Sequence, residues 1–142
     1  MENTLPTKVL IIDDDIPMTD LMRLMLNRES FDVITSNTGE DGIEAAKKDK
    51  PDVIVLDLLM PGEDGWHICY KIRKCSQVPI LVLSALNMPG LSARVFEAGA
   101  DEFLIKPVST GVLVAYLKKL TRRARAELDA LAANTASARN SA

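Results

Sequence analysis

Short runs of aliphatic, mostly β-branched residues alternate along this chain with longer stretches whose apolar positions recur every three or four residues. The first pattern suits a strand buried on both faces of a parallel sheet, and the second suits a helix lying on such a sheet. Read this way, Lys8 to Asp13, Phe31 to Ser36, Asp52 to Asp57, Pro79 to Ser84 and Glu102 to Lys106 are predicted as five strands. The first helix is predicted over about Pro17 to Arg28, with Met18, Leu21, Met22 and Met25 on its apolar stripe. Pro17 falls in its first turn, where a missing N–H costs nothing. Asn37 or Thr38 is expected to cap the second helix before Gly39, and the third begins near Gly65 or Trp66. The fourth covers about Met88 to Ala98, and Ser109 caps the fifth. Five βα units with right-handed crossovers make an α/β, three-layer doubly wound (βα)5 sandwich, its parallel sheet in the order 2-1-3-4-5. Strands one and three are then neighbours, which brings Asp13, Asp14 and Asp57 together.

Composition narrows this to one domain. At 142 residues, 47% hydrophobic and 4% aromatic, the chain can bury a single aliphatic core and no second one. A net charge of −3 gives no general reason to bind nucleic acid. No apolar run approaches the roughly 20 residues that span a bilayer, and MENTLPTK contains no signal-peptide apolar stretch. Cys69 and Cys75 match neither a disulfide framework nor a CxxC pair, so both read as reduced structural thiols of a cytoplasmic protein. Beyond about Arg125 the character changes: ELDALAA prolongs the fifth helix, and the small, polar NTASARNSA is expected to be disordered. The expected division is therefore a domain over residues 7–125 and a helix extension with a disordered tail over 126–142. The basic cluster Lys118, Lys119, Arg122, Arg123 and Arg125 reads as a solvated helix end that complements the helix dipole.

Each apolar run ends on chemistry. Asp13-Asp14-Asp15 follows the first, Asp57 ends VIVLD, Ser84 ends ILVLS, and Lys106-Pro107 ends EFLIKP. These are the carboxyl ends of strands, where open α/β sheets keep their sites. Three aspartates in a row can serve loop solubility alone, but a further carboxylate from the neighbouring strand makes a set of hard oxygen ligands suited to Mg²⁺. The same cluster disfavours a nucleotide, flavin or dinucleotide site. No glycine-rich phosphate cradle follows the first strand, and three carboxylates would repel a phosphate there.

With these strings in place the chain resembles the receiver domain of bacterial two-component response regulators over about residues 7 to 122, a flavodoxin-like fold. The resemblance implies that Asp57 is the phosphoacceptor and a metal ligand, that Asp14 ligates directly, Asp13 mainly through water, and the Leu59 backbone carbonyl as well. Asp15 is left to the loop or the first helix cap. MPGEDG fits the family's turn, with Pro61 and Gly62 shaping it and Asp64 or Gly65 opening the next helix. A cis peptide between Lys106 and Pro107, aiming the ammonium at the phosphate site, is also implied. Ser84 would bond a phosphoryl oxygen and move toward it, and Phe103 would fill the space left, so that one core has two packings. His67, the single histidine, has no Cys or His partners and reads as an exposed helical residue; Trp66 reads as packing.

The implied function is a phosphorylation-controlled signalling module in the cytoplasm. A sensor histidine kinase or phosphotransfer protein donates to Asp57 with Mg²⁺ (or Mn²⁺), and a face built from the fourth helix, fifth strand and fifth helix binds a downstream protein. It is expected to catalyse only its own phosphorylation and dephosphorylation, with no direct nucleic-acid or membrane binding. Asp101, Glu102 and Arg123 resemble part of a charged dimer face, although Tyr116 stands where an arginine is usual, so at most a weak phosphorylation-favoured homodimer is expected. One alternative is the N-terminal receiver fragment of a longer DNA-binding response regulator, which would need a helix-turn-helix after Arg125. A remote one is an aspartate-nucleophile phosphatase, but that chemistry places a second aspartate two residues after the nucleophile, where this chain has Leu59. In the resembled family the places held here by Leu59 and Leu86 flank the phosphoryl group, so these leucines are expected to offer attacking water no hydrogen bond.

Overall fold

A computed structural model describes residues 5–140. The strands are β1 (Thr7–Ile12), β2 (Phe31–Ser36), β3 (Val53–Asp57), β4 (Leu59–Met60), β5 (Glu63–Asp64), β6 (Ile80–Ser84) and β7 (Glu102–Ile105). The helices are α1 (Ile16–Arg28), α2 (Gly39–Lys48), α3 (Gly65–Cys75), α4 (Leu91–Glu97) and α5 (Thr110–Asn140). The five long strands form one parallel sheet in the order β2-β1-β3-β6-β7, which is 2-1-3-4-5 when they are counted alone. The fold is the expected flavodoxin-like sandwich.

Every residue of β3 and β6 is buried, because these strands lie inside the sheet with helices on both faces. Alternation along the strands divides the core in two. Leu10, Ile12, Ile54 and Leu56 face Ala46 of α2, Ile68 and Ile72 of α3, and Leu91 and Val95 of α4. Val9, Ile11, Val53 and Val55 face Met22 and Leu26 of α1 and Leu113, Leu117 and Leu120 of α5. The helix termini are closed by side chains: Asp15 caps α1, Thr38 caps α2, and Asp64 caps α3, each accepting a backbone N–H. Ser109 accepts the N–H of Val112 at the start of α5. Gly65 leaves no room for a side chain, since an added Cβ would lie 2.6 Å from the Leu58 carbonyl oxygen.

Four features differ from the sequence expectation. The buried stripe of α1 is Thr19, Met22 and Leu26, while Met18 and Leu21 are exposed. Thr19 can be buried because its hydroxyl donates to the Ile16 carbonyl and accepts from Asn37, which hydropathy alone does not register. Helix α4 starts at Leu91 rather than Met88, since Met88 precedes a proline and Gly90 adopts a left-handed φ of 79°. The MPGEDG turn carries a two-stranded antiparallel pairing of β4 with β5 across Pro61 and Gly62. Finally, α5 continues to Asn140 where a disordered tail was expected from Asn134. Ala132, Ala133 and Ala136 favour helix, and Thr135 is accommodated in it by returning its hydroxyl to the Leu131 carbonyl. The last two residues of the expected tail lie outside the described residues.

Candidate functional site

Sheet register assembles the site. Ile12 pairs with Leu56, so the next residues, Asp13 and Asp57, leave adjacent strands side by side. Ser84 pairs with Ile105, and the Lys106 N–H donates to the Ser84 carbonyl at 2.8 Å. Four strand ends thus deliver two buried carboxylates, a buried hydroxyl and an ammonium to one place. The Lys106–Pro107 peptide bond is cis.

Asp13 is 3% exposed and Asp57 8%, whereas Asp14 is open to solvent. Carboxylate oxygens of Asp13, Asp14 and Asp57 lie within 4.8 Å of one another. The two buried carboxylates are held alike. The Oδ1 of Asp57 accepts the Leu59 N–H at 3.2 Å, and that of Asp13 accepts the Asp15 N–H at 3.0 Å. Their Oδ2 atoms both turn to Lys106, whose Nζ is 3.4 Å from Asp57 and 3.7 Å from Asp13. Three carboxylates therefore face one ammonium, and the pocket is short of positive charge. Burial pushes the Asp13 carboxyl above its usual range and the Asp57 charge adds to the rise, against the opposing pull of the Asp15 N–H and Lys106. Hard oxygen donors, close spacing and a charge deficit fit a divalent cation with an oxygen preference. The geometry carries no second acid/base carboxylate at position 59, where Leu59 is 42% exposed.

Ser84 is fully buried, and its Oγ accepts the Leu86 N–H at 3.0 Å. Phe103 is half-buried and, with Trp66 and Leu86, packs against the core cluster under α2, α3 and α4. The Arg94 guanidinium of α4 lies 4.5 Å from the Trp66 ring of α3, which couples the two helices beside the site. His67 is exposed, Cys69 buried and Cys75 exposed, and neither cysteine is in a disulfide. Asp101, expected on a charged dimer face, is already engaged: its Oδ2 accepts from Arg73 and from the Ile80 N–H, both at 2.9 Å. Asn37 and Thr19 enter the surroundings of the site unannounced. Asn37 follows β2 directly, so the rule that polar residues at strand ends face the site would have found it.

The charge deficit has a measurable consequence. Asp13→Asn is expected to stabilise the metal-free protein at pH 7 by about 1–2 kcal/mol, because an amide replaces a buried charge crowded by another carboxylate. The sign follows from the raised folded-state pKa. At acid pH, where the carboxyl is protonated in both the folded and the unfolded chain, the two variants are neutral here and their stabilities converge; the gap opens as pH rises above the ordinary carboxyl range and is complete once pH has passed the raised folded-state value. Urea unfolding in chelator at several pH values checks this, and equal stability at pH 7 contradicts it.

The fold and site define a class: a doubly wound α/β domain with an acidic pocket, one lysine and a buried hydroxyl at its strand ends. The family model described as response regulator receiver domain matches residues 9–118, and this chain belongs to that family, the receivers of two-component signalling. A two-component response regulator from Clostridium difficile is 30% identical, with a TM-score of 0.79 over 82% of this chain and 97% of that one. The Vibrio cholerae chemotaxis protein CheY4 is 29% identical, with a TM-score of 0.76 over 81% and 98%. The N-terminal receiver domain of Klebsiella pneumoniae RstA, solved in a BeF3-activated form, is 29% identical, with a TM-score of 0.77 over 82% and 99%. Among the described residues no helix is long and apolar enough to cross a membrane.

Proposed function

We propose that this receiver accepts a phosphoryl group on Asp57 from the phosphohistidine of a sensor kinase or phosphotransfer protein, with Mg²⁺ (or Mn²⁺) bound. The observation that carries this reading is that Asp57 ends β3, the middle strand of the sheet, with its Oδ2 3.4 Å from Lys106 Nζ, nearer than the Oδ2 of Asp13 at 3.7 Å. Asp57 Oδ2 attacks phosphorus, the N–P bond of the donor breaks, and the imidazole leaves to take a proton from water. Lys106 offsets the charge on the moving phosphoryl oxygens, and the Leu59 N–H holds Oδ1 so that one oxygen is presented. Asp57, Asp14 and the Leu59 carbonyl are the direct ligands proposed, with Asp13 acting through water; the cation supplies charge neutralisation for the incoming anion. The module is read as catalysing only its own phosphorylation and dephosphorylation. Borohydride trapping of the acyl phosphate after incubation with acetyl phosphate and Mg²⁺ should place the modified residue at position 57, and a different position overturns the assignment.

Ser84 and Phe103 are proposed as the switch pair. Phosphorylation would draw the Ser84 hydroxyl away from the Leu86 N–H, shift Phe103, and so alter a face formed by α4, β7 and α5 that binds a downstream protein. A homodimer through that face is expected to be weak, since Asp101 is committed to Arg73 within the chain. The receiver unit is taken as residues 7–125, working in the cytoplasm, with the end of α5 as an appendage.

Asp14 and Asp15 separate ligand from cap. Asp15 commits its carboxylate to the Met18 N–H, whereas Asp14 has a carboxylate oxygen within 4.8 Å of those of Asp13 and Asp57. Asp14→Ala is expected to weaken Mg²⁺ binding by more than about tenfold, and Asp15→Ala by less than about threefold, with a cap loss of about 1 kcal/mol in stability. A metal titration of both variants with equal losses contradicts the ligand set.

A further inference from the structure

The loop that carries the three aspartates is held from outside by one side chain. Asn37, the residue after β2, donates from Nδ2 to the backbone carbonyl of Asp13 at 2.8 Å and to Thr19 Oγ1 at 3.3 Å. Thr19, itself 1% exposed, donates a hydrogen bond from its hydroxyl to the Ile16 carbonyl at 2.9 Å. The Asp13 carbonyl belongs to the peptide unit that joins Asp13 to Asp14. Pinning it fixes the plane from which both carboxylates spring. The Asp13 N–H is tied on the other side, to the Ser36 carbonyl at 3.1 Å, by the residue next to Asn37. The β2–α2 connection thus grips the backbone of Asp13 at both its N–H and its carbonyl, with Asn37 supplying the only side-chain contribution to that grip among the bonds described.

Resting on the assignment of the acidic pocket as a cation site, we infer that Asn37 is a positioning residue that presets Asp13 and Asp14 for the cation, and is more than a loop stabiliser. Without its amide the peptide unit between the two aspartates can rotate, and the mutual repulsion of three carboxylates supplies a force that spreads them. The preset arrangement is lost from the metal-free state, so the cost of reassembling it appears in metal affinity. The sequence offers Asn37 or Thr38 as the cap of α2, and the Thr38 side chain performs that task.

The test uses the full chain and Mn²⁺ alone, with binding followed by water-proton relaxation and stability by thermal melting. Asn37→Ala is expected to raise the Mn²⁺ dissociation constant by about tenfold. Thr19→Val cuts the other bond of the same amide and disturbs a more deeply buried site, yet leaves the Asn37–Asp13 contact, so its dissociation constant should stay within about twofold of wild type. Asn37→Gln keeps a donor and should recover part of the loss. In the absence of metal, amide exchange at Asp14 and Asp15 should quicken in Asn37→Ala and not in Thr19→Val. Unchanged affinity in Asn37→Ala, or equal losses in the two variants, overturns the positioning role; if Asn37→Ala does not fold, the comparison of Asn37→Gln with Thr19→Val decides on the same criterion. Absence of Mn²⁺ binding by the wild type would instead refute the cation site itself.

Discussion

Asp57→Asn is expected to abolish phosphorylation by acetyl phosphate in Mg²⁺, lowering the rate by at least about a hundredfold, while leaving the fold intact. The substitution is nearly isosteric, and the amide oxygen can still accept the Leu59 N–H that now meets Oδ1 at 3.2 Å. What is lost is the nucleophile, since an amide oxygen carries no free negative charge to attack phosphorus. Neither neighbour can substitute. Asp13 is the more buried of the pair, with its Oδ1 occupied by the Asp15 N–H, and Asp14 is exposed and forms no ion pair with Lys106 among those described. Intact-mass spectra of wild type and variant, with far-ultraviolet circular dichroism to confirm folding, provide the check. A phosphoryl adduct accumulating in Asp57→Asn at a wild-type rate would remove the basis of the proposed mechanism.

The second large effect concerns how long the phosphoryl group persists. Leu59, 42% exposed, donates its backbone N–H to Asp57, and Leu86, half-buried, donates its own to Ser84, so both leucines stand next to the site. Neither offers a hydrogen bond to a water that must line up with phosphorus. The double variant Leu59→Asn, Leu86→Glu is expected to lose phosphate about tenfold faster with Mg²⁺ saturating, a barrier reduction of about 1.4 kcal/mol. Leu59 can be replaced at little structural cost. Leu86 packs against the core, so its replacement also costs stability, and the single Leu59→Asn variant isolates the contribution of water positioning from that of loosened packing. An unchanged or slower rate in both variants would show that the leucines do not shield the aspartyl phosphate.

Much of this was legible in the chain before any coordinates. The five strands of the parallel sheet were recoverable to within a residue at each end, most plainly β3 and β6, whose burial on both faces forces an unbroken apolar run. Crossover handedness then leaves few sheet orders, and the polar residue ending each run had to emerge on one edge. That is why Asp13, Asp57, Ser84 and Lys106 could be grouped from sequence. Local signals also narrowed each of these caps to two readings, since Asp15, Thr38 and Asp64 each serve an N–H only two or three residues away.

Where the chain meets itself over long distances, sequence reasoning had less to hold. The apolar stripe of α1 was misjudged because burial of Thr19 depends on a hydroxyl partner eighteen residues away, a bond that periodicity cannot see. Asp101 carries the charge of a surface residue, yet its carboxylate, just before β7, closes a contact with Arg73 of α3. The extent of α5 beyond Asn134 turned on alanine propensity in a segment whose polar composition argued the other way. The sequence determined which chemical groups stand at the strand ends, because that follows from buried runs and their terminal residues. Only the tertiary structure decided how those groups are held, with each buried aspartate offering one oxygen to an N–H two residues on and the other to Lys106, and with Asn37 reaching across from β2 to fix the peptide between the first two acids. The physical reason is that hydrogen bonds are directional and short, so their partners are set by register and packing to within a fraction of an ångström, a scale that hydropathy and spacing do not encode.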